Sequence, residues 1–121
     1  YSAPLLDRFG ARNLMLFGIA LAIPRWLISA LAPPWLVIAV QALHGATFAL
    51  FWLGSLTRIT NLAPERVRTS SVAVLGAAVG GVGSLLGNFG GGLLIDGPGS
   101  AALFLVAAGV AVLATVAAWR A

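Results

Sequence analysis

Residues 35–60 read WLVIAVQALHGATFALFWLGSLTRIT, and Arg58 is the only one of them with a fixed charge. A helix rises about 1.5 Å per residue, so roughly 20 apolar residues carry it across the hydrocarbon of a bilayer. Such a run could be covered inside a soluble domain only by a charged surface. This chain lacks one: 8% of its 121 residues are charged and 60% are hydrophobic, where a soluble domain is about 25% charged. The fold class expected is therefore all-α integral membrane, with four transmembrane helices.

The spans fall at residues 13–31, 35–60, 72–95 and 101–119. Asn13 is a candidate N-cap for the first, and Pro24 should kink it, lacking an N–H and crowding the preceding turn. Arg25 follows, roughly 9 Å below the end of that span. It either snorkels outward or faces a wet interior. Trp26 and Trp35 suit the aromatic belt at that end. Ala32-Pro33-Pro34 is too short to do anything but fold the second span back on the first. Asn61 and Pro64 should stop the second span, and Thr69, Ser70 or Ser71 can cap the third. Asp96-Gly97-Pro98-Gly99-Ser100 is a turn.

On a helix at about 100° per residue, Gln41, His44, Gly45, Phe48, Trp52 and Ser55 share an arc roughly 100° wide. The other faces of the span are Leu, Val, Ile and Ala. A polar and aromatic stripe in a membrane helix turns toward other helices or a water-filled cavity. His44 lies about 14 Å in, near the midplane. Ionisable groups are rare at that depth and are functional candidates, and imidazole changes charge near neutral pH. Packing competes with ligand stacking as the role of Phe48 and Trp52.

The third span carries Gly76, Gly80, Gly83, Gly87 and Gly91. Glycines four apart form a small-xxx-small ridge that lets another helix backbone approach closely, and Gly80-Gly81 allows bending. Static packing and rocking of two bodies are both consistent with the ridge. Ser84 and Asn88 could hydrogen-bond across such a contact. The last span is Ala, Val and Leu without a polar stripe, which suits a peripheral helix facing lipid.

Net charge is +4 and all seven basic residues are Arg. With antiparallel spans Arg8, Arg12, Arg58, Arg66, Arg68 and Arg120 fall on one side, which the positive-inside tendency places in the cytoplasm. Their scatter between apolar runs speaks against nucleic acid. There is no Cys, and one His with Asp7, Glu65 and Asp96 leaves too little for a metal cluster. No cofactor or metal is expected. Nor is enzyme activity, since there is no carboxylate pair, Ser/His/Asp set or second His. The chain begins with Tyr1 rather than Met, so a fragment of a longer protein is expected.

Ahead of the first span stands Asp7-Arg8-Phe9-Gly10-Ala11-Arg12. It resembles D-R-x-G-x-R, the loop signature of the major facilitator superfamily, found between the second and third helix of each six-helix half. The full motif opens with Gly four residues before the Asp, where this chain has Ala3. A plain loop carrying topology-setting Arg is the simpler reading of the same residues. Beyond the loop, Arg25, then Q-A-L-H from Gln41 to His44, A-P-E-R-V-R-T-S from Ala63 and G-G-G-L-L-I-D ending at Asp96 are most similar to the lactose-permease and nucleoside-symporter-like branch.

The resemblance implies that residues 1–121 are part of the C-terminal half of a twelve-helix transporter. They would be helices nine to twelve, with the tail of helix eight in front. It implies a small-molecule substrate, protons as a candidate second partner, the remaining N-terminal helices as packing partners, and the bacterial inner membrane as location. Arg25 and His44 match branch positions that serve substrate and proton coupling. Where the branch has a proton-carrying Glu one turn after the His, this chain has Thr47, and a Lys three residues before it is Gln41 here, so the lactose-type relay is not intact. Asp7 resembles the charge that pairs with a helix N-terminus of the other half. The site expected is Arg25, Gln41, His44, Phe48 and Trp52; the gating loop is Asp7, Arg8, Gly10 and Arg12. A complete four-helix membrane protein, a drug exporter or a structural subunit, is the alternative. An exporter would need an acidic residue in the middle of a span, and there is none.

Overall fold

A computed structural model describes residues 3–120. Tyr1 and Ser2, part of the expected helix-eight tail, and Ala121, the last residue of the expected 1–121 domain, lie outside the described residues. The described chain is helical without a strand: α1 (Ala3–Phe9), α2 (Ala11–Leu31), α3 (Pro34–Gln41), α4 (Leu43–Leu62), α5 (Glu65–Gly76), a π-helical segment (Ala77–Gly83), α6 (Ser84–Asp96) and α7 (Ser100–Arg120). Four stretches are long and apolar enough to cross a membrane: Ala11–Leu31, Pro34–Leu62, Glu65–Asp96 and Ser100–Arg120.

Proline sets most of the boundaries. A residue before proline is driven out of the helical region. Ala32 before Pro33 is extended at φ −91°, ψ 157°, Pro33 before Pro34 at φ −65°, ψ 155°, and Ala63 before Pro64 at φ −76°, ψ 130°. Pro34 then opens α3 from the first helical position, where a missing N–H does no harm. The second span therefore runs on to Leu62 and includes Asn61, which the sequence suggested as a stop. The third opens at Glu65, whose carboxylate suits a helix N-terminus. Thr69, Ser70 and Ser71 lie inside the helix instead of capping it, and the Ser71 hydroxyl donates to the Val67 carbonyl at 3.0 Å.

Three features depart from simple spans. The DRFGAR stretch is a helix–helix junction, not an open loop: α1 ends at Phe9, α2 begins at Ala11, and Gly10 between them has φ 76° and ψ 150°. Gly10 takes the cap position expected for Asn13, because only glycine holds that backbone without strain. The second span is interrupted at Ala42, whose N–H reaches back to the Ala39 carbonyl at 3.3 Å in a tightened turn. The third span loosens into the π turns over Ala77–Gly83. Pro24, by contrast, lies within an unbroken α2.

The pairings show the spans to be antiparallel. Ala11 and Met15 of α2 meet Gly54 of α4, and Gly18 meets Thr47 and Phe51. Nearer the other end of α2, Arg25 bonds Gln41. On the other flank of α2, Arg12 bonds the Trp119 carbonyl and Trp26 stacks on Phe104 with ring centroids 5.7 Å apart. So α2 lies between α4 and α7, and its buried Leu14 and Leu16 join Ala108 and Ala111 of α7 in the small core. The third span mainly touches its neighbours in sequence, and none of its residues is buried. The outer apolar faces, from Phe17 to Phe89 and Leu113, are exposed. That is ordinary where the solvent is lipid or further helices.

Candidate functional site

Two glycines bring α2 and α4 close enough to build a site. A Cβ at Gly18 would stand 2.5 Å from the Phe51 amide nitrogen and 2.9 Å from the Thr47 carbonyl oxygen. One at Gly54 would stand 2.6 Å from the Ala11 carbonyl oxygen and closer still to the Met15 amide nitrogen. Backbones this close leave room for no side chain. The contact row on α4 is therefore Thr47, Phe51 and Gly54, and the polar stripe lies on the flank beside it. Gln41, His44 and Phe48 of that stripe stay exposed in this chain.

Arg25 crosses from α2 to meet the stripe. It is 5% exposed, and its Nη1 donates to Gln41 Oε1 at 2.8 Å. Its guanidinium carbon lies 3.9 Å from the centroid of the Trp26 ring, a cation–π distance. Its Nε has no hydrogen-bond partner among the described residues. The side chain turns inward to Gln41 and Trp26 rather than out to the surface of the bundle. A buried charge with an unpaired donor is costly unless another group completes it.

Below Arg25 a cavity of about 200 Å³ opens between the helices, lined by Arg25, His44, Thr47, Phe48 and Phe51 among others. Thr47 is buried and its hydroxyl donates to the His44 carbonyl at 2.9 Å, so it offers the cavity little. His44, Phe48 and Trp52 form a ladder along α4. The His44 and Phe48 rings lie 6.3 Å apart, and Phe48 stacks on Trp52 at 6.0 Å with 14° between planes. Trp52 belongs to the ladder but does not line the cavity. The structure thus gathers Arg25, Gln41, His44 and Phe48. It adds Thr47 and Phe51, which the stripe omitted because they lie on the α2-facing row. At the far end of the stripe the buried Ser55 hydroxyl has no hydrogen-bond partner among the described residues.

The other expected groups lie elsewhere. Asp7 and Arg8 are exposed on α1, with the Arg8 guanidinium 5.5 Å from the Phe9 ring centroid. Arg12 holds the last turn of α7 through the Trp119 carbonyl, with its guanidinium 5.7 Å from the Trp119 ring centroid. A cation on a C-terminal carbonyl satisfies an acceptor that the helix leaves open. Of the glycine ridge, Gly76, Gly80 and Gly87 have open space where a side chain would be, and Gly91 faces the Leu103 side chain at 3.5 Å. Among the described residues, Gly18 and Gly54 are the glycines at which an added Cβ would run into the backbone of another helix.

The fold and the site define an integral membrane helical bundle with a buried cation beside an aromatic-lined cavity. The sequence matches the MFS_1 like family over residues 1–106. The chain belongs to that family, part of the major facilitator superfamily of membrane transporters; it is a transporter family, not an enzyme family. It is 33% identical over 93 residues to the maltose permease of Geobacillus stearothermophilus, a match covering 76% of this chain and 24% of the permease. The chain thus spans about a quarter of that relative's length. No solved structure matches it.

Proposed function

We propose that this chain is the C-terminal portion, helices nine to twelve, of a secondary active transporter in the lactose-permease and nucleoside-symporter-like branch, with α1 as the tail of helix eight. The transporter moves a small polar solute by alternating access, binding it near the midplane between two halves. The observation that carries this is Arg25: a buried guanidinium, tied to Gln41 at 2.8 Å and with no partner for its Nε–H among the described residues, beside a cavity shared with His44 and Phe48. Directional donors beside an aromatic face suit a hydroxyl-rich solute, which fits the name of the permease relative. Arg25, Gln41 and His44 supply polar contacts, and Phe48 and Trp52 the stacking surface. Protons are the coupling ion in this reading, and His44 is the titratable side chain at the cavity, since Thr47 cannot carry one. The location is the bacterial inner membrane, with the arginine-bearing ends in the cytoplasm. The N-terminal helices of the same protein cover the exposed stripe.

The test is uptake in proteoliposomes holding the full-length protein, with a panel of sugars, nucleosides and small aromatic acids, with and without a pH gradient. Gradient-dependent uptake of one class, lost in His44→Ala and Arg25→Ala, is expected. Uptake of no class, or wild-type uptake by both variants, overturns the reading.

A further inference from the structure

We propose that the cleft between α2 and α7, at their arginine-bearing ends, is a seat for one anionic phospholipid. A slot of about 260 Å³ runs there, lined by Asn13, Leu16, Phe17, Ala20, Thr115 and Trp119. From Asn13 to Ala20 it reaches roughly 10 Å along the helix, the depth of a glycerol backbone and the first part of an acyl chain below the headgroups. Apart from Asn13, beside Arg12 at its end, its walls present hydrocarbon: the Thr115 hydroxyl is turned away to the Ala111 carbonyl at 2.7 Å, and Phe17 and Trp119 are exposed along its edges.

The rim supplies the opposite chemistry. Arg12 lies in the first turn of α2 and Arg120 ends α7, and the two helices are antiparallel, so both arginines belong to the same end of the helix pair. The Trp119 carbonyl occupies one Arg12 donor, and a guanidinium has five. The bond and the ring beneath it hold that charge at the mouth of the slot. The acids at this end, Asp7 and Glu65, are on α1 and α5 and not on the helices that form the slot. Two fixed cations at the end of the helix pair where an apolar groove opens, with Trp119 along its edge, complement a phosphodiester above an acyl chain. A zwitterionic lipid offers the same chain but no net charge.

Lipid retention by the full-length protein, released from nanodiscs and read by native mass spectrometry, tests this. The probes are phosphatidylglycerol and phosphatidylcholine. The wild type should retain one phosphatidylglycerol in preference to phosphatidylcholine. Arg120→Ala, which leaves the Arg12–Trp119 tie in place, should weaken retention about fivefold, and Arg12→Ala with Arg120→Ala about 25-fold. Ala20→Phe, which fills the slot and keeps both charges, should abolish it; Ala20→Leu serves if the larger residue impairs folding. Arg66→Ala with Arg68→Ala removes equal charge from the same end of the bundle and should change nothing. Equal retention of the two lipids, full retention by the slot-filling variant, or a loss in the Arg66/Arg68 variant as large as that in the Arg12/Arg120 variant would each overturn the proposal. Failure of transport in the uptake assay leaves this result untouched.

Discussion

Arg25 on α2 and Gln41 on α3 lie sixteen residues apart and meet side chain to side chain at 2.8 Å across the proline turn. The contact joins a buried cation to the helix that continues, after the break at Ala42, into the His44 stripe. A neutral amide does not neutralise the guanidinium, so the charge stays available to a third group. The site is therefore organised around a cation that this part of the protein leaves incompletely bonded.

Replacing Gln41 by Leu should leave the buried guanidinium with one fewer acceptor. A hydrogen bond to a charged group is worth about 1.5–3 kcal/mol, so the full-length protein should lose several degrees of melting temperature and about tenfold or more in KM for its solute. Gln41→Glu keeps an acceptor and should hold the melting temperature near wild type, while the new ion pair weakens solute affinity. Thermal melts and uptake kinetics on both variants check this. Wild-type KM in both would remove the pair from the site.

Much of this was legible in the sequence, and the rest was hidden for specific reasons. Span number, antiparallel order and the Gln41–His44–Phe48 stripe follow from hydropathy and helical period, which report a long helix well. Arg25 was conspicuous, but the sequence left its direction open, because snorkelling and burial leave the same letter. The break at Ala42 has no Pro or Gly to announce it. Gly18 and Gly54 are masked by the repeated glycines of the third span: a repeat stands out in a sequence, whereas a close crossing needs one glycine on each helix, and neither lies near the other. Phe51, and the place of Thr47 on the contact row, are hidden for the same reason, since which flank faces α2 depends on where that crossing falls.

The crossing yields its own prediction. Gly18→Leu and Gly54→Leu both place a side chain where the opposite backbone already stands. Such overpacking costs about 1–3 kcal/mol or more, and each variant should melt lower and express poorly, with transport lost in proportion to folded protein. Gly18→Ala, with even its single carbon 2.5 Å from the Phe51 nitrogen, should still be measurably destabilised. A melting temperature unchanged in Gly18→Ala would show that the helices are further apart.

Gly10 is the hinge between α1 and α2, and its φ of 76° with ψ of 150° is a conformation that residues with a Cβ avoid. No neighbour would touch an added methyl, so Gly10→Ala tests backbone strain alone. A cost of about 1–3 kcal/mol is expected, seen as a lower melting temperature. Ala11→Gly beside it is the control, with a smaller loss of about 1 kcal/mol or less as a helix substitution. Equal behaviour of the two would mean the junction does not need its glycine.

The π segment Ala77–Gly83 separates static packing from rocking as the purpose of the third span. Wide π turns bond less well than α turns and appear mainly as short interruptions, often at functional positions. Here the interruption coincides with Gly80 and Gly81, where an added Cβ would meet nothing among the described residues. Changing both to Ala favours regular α-helix by about 1 kcal/mol per residue. If the segment is a flexing point, Gly80→Ala with Gly81→Ala should raise or preserve the melting temperature of the full-length protein while lowering kcat for uptake, with KM little changed. If the ridge instead packs tightly against a helix of the other half, the same methyl groups would clash, and the melting temperature should fall with expression. A fast, stable variant would assign the π turns no role in transport. A stable but slow one would mark Ala77–Gly83 as the place where the third span bends between states.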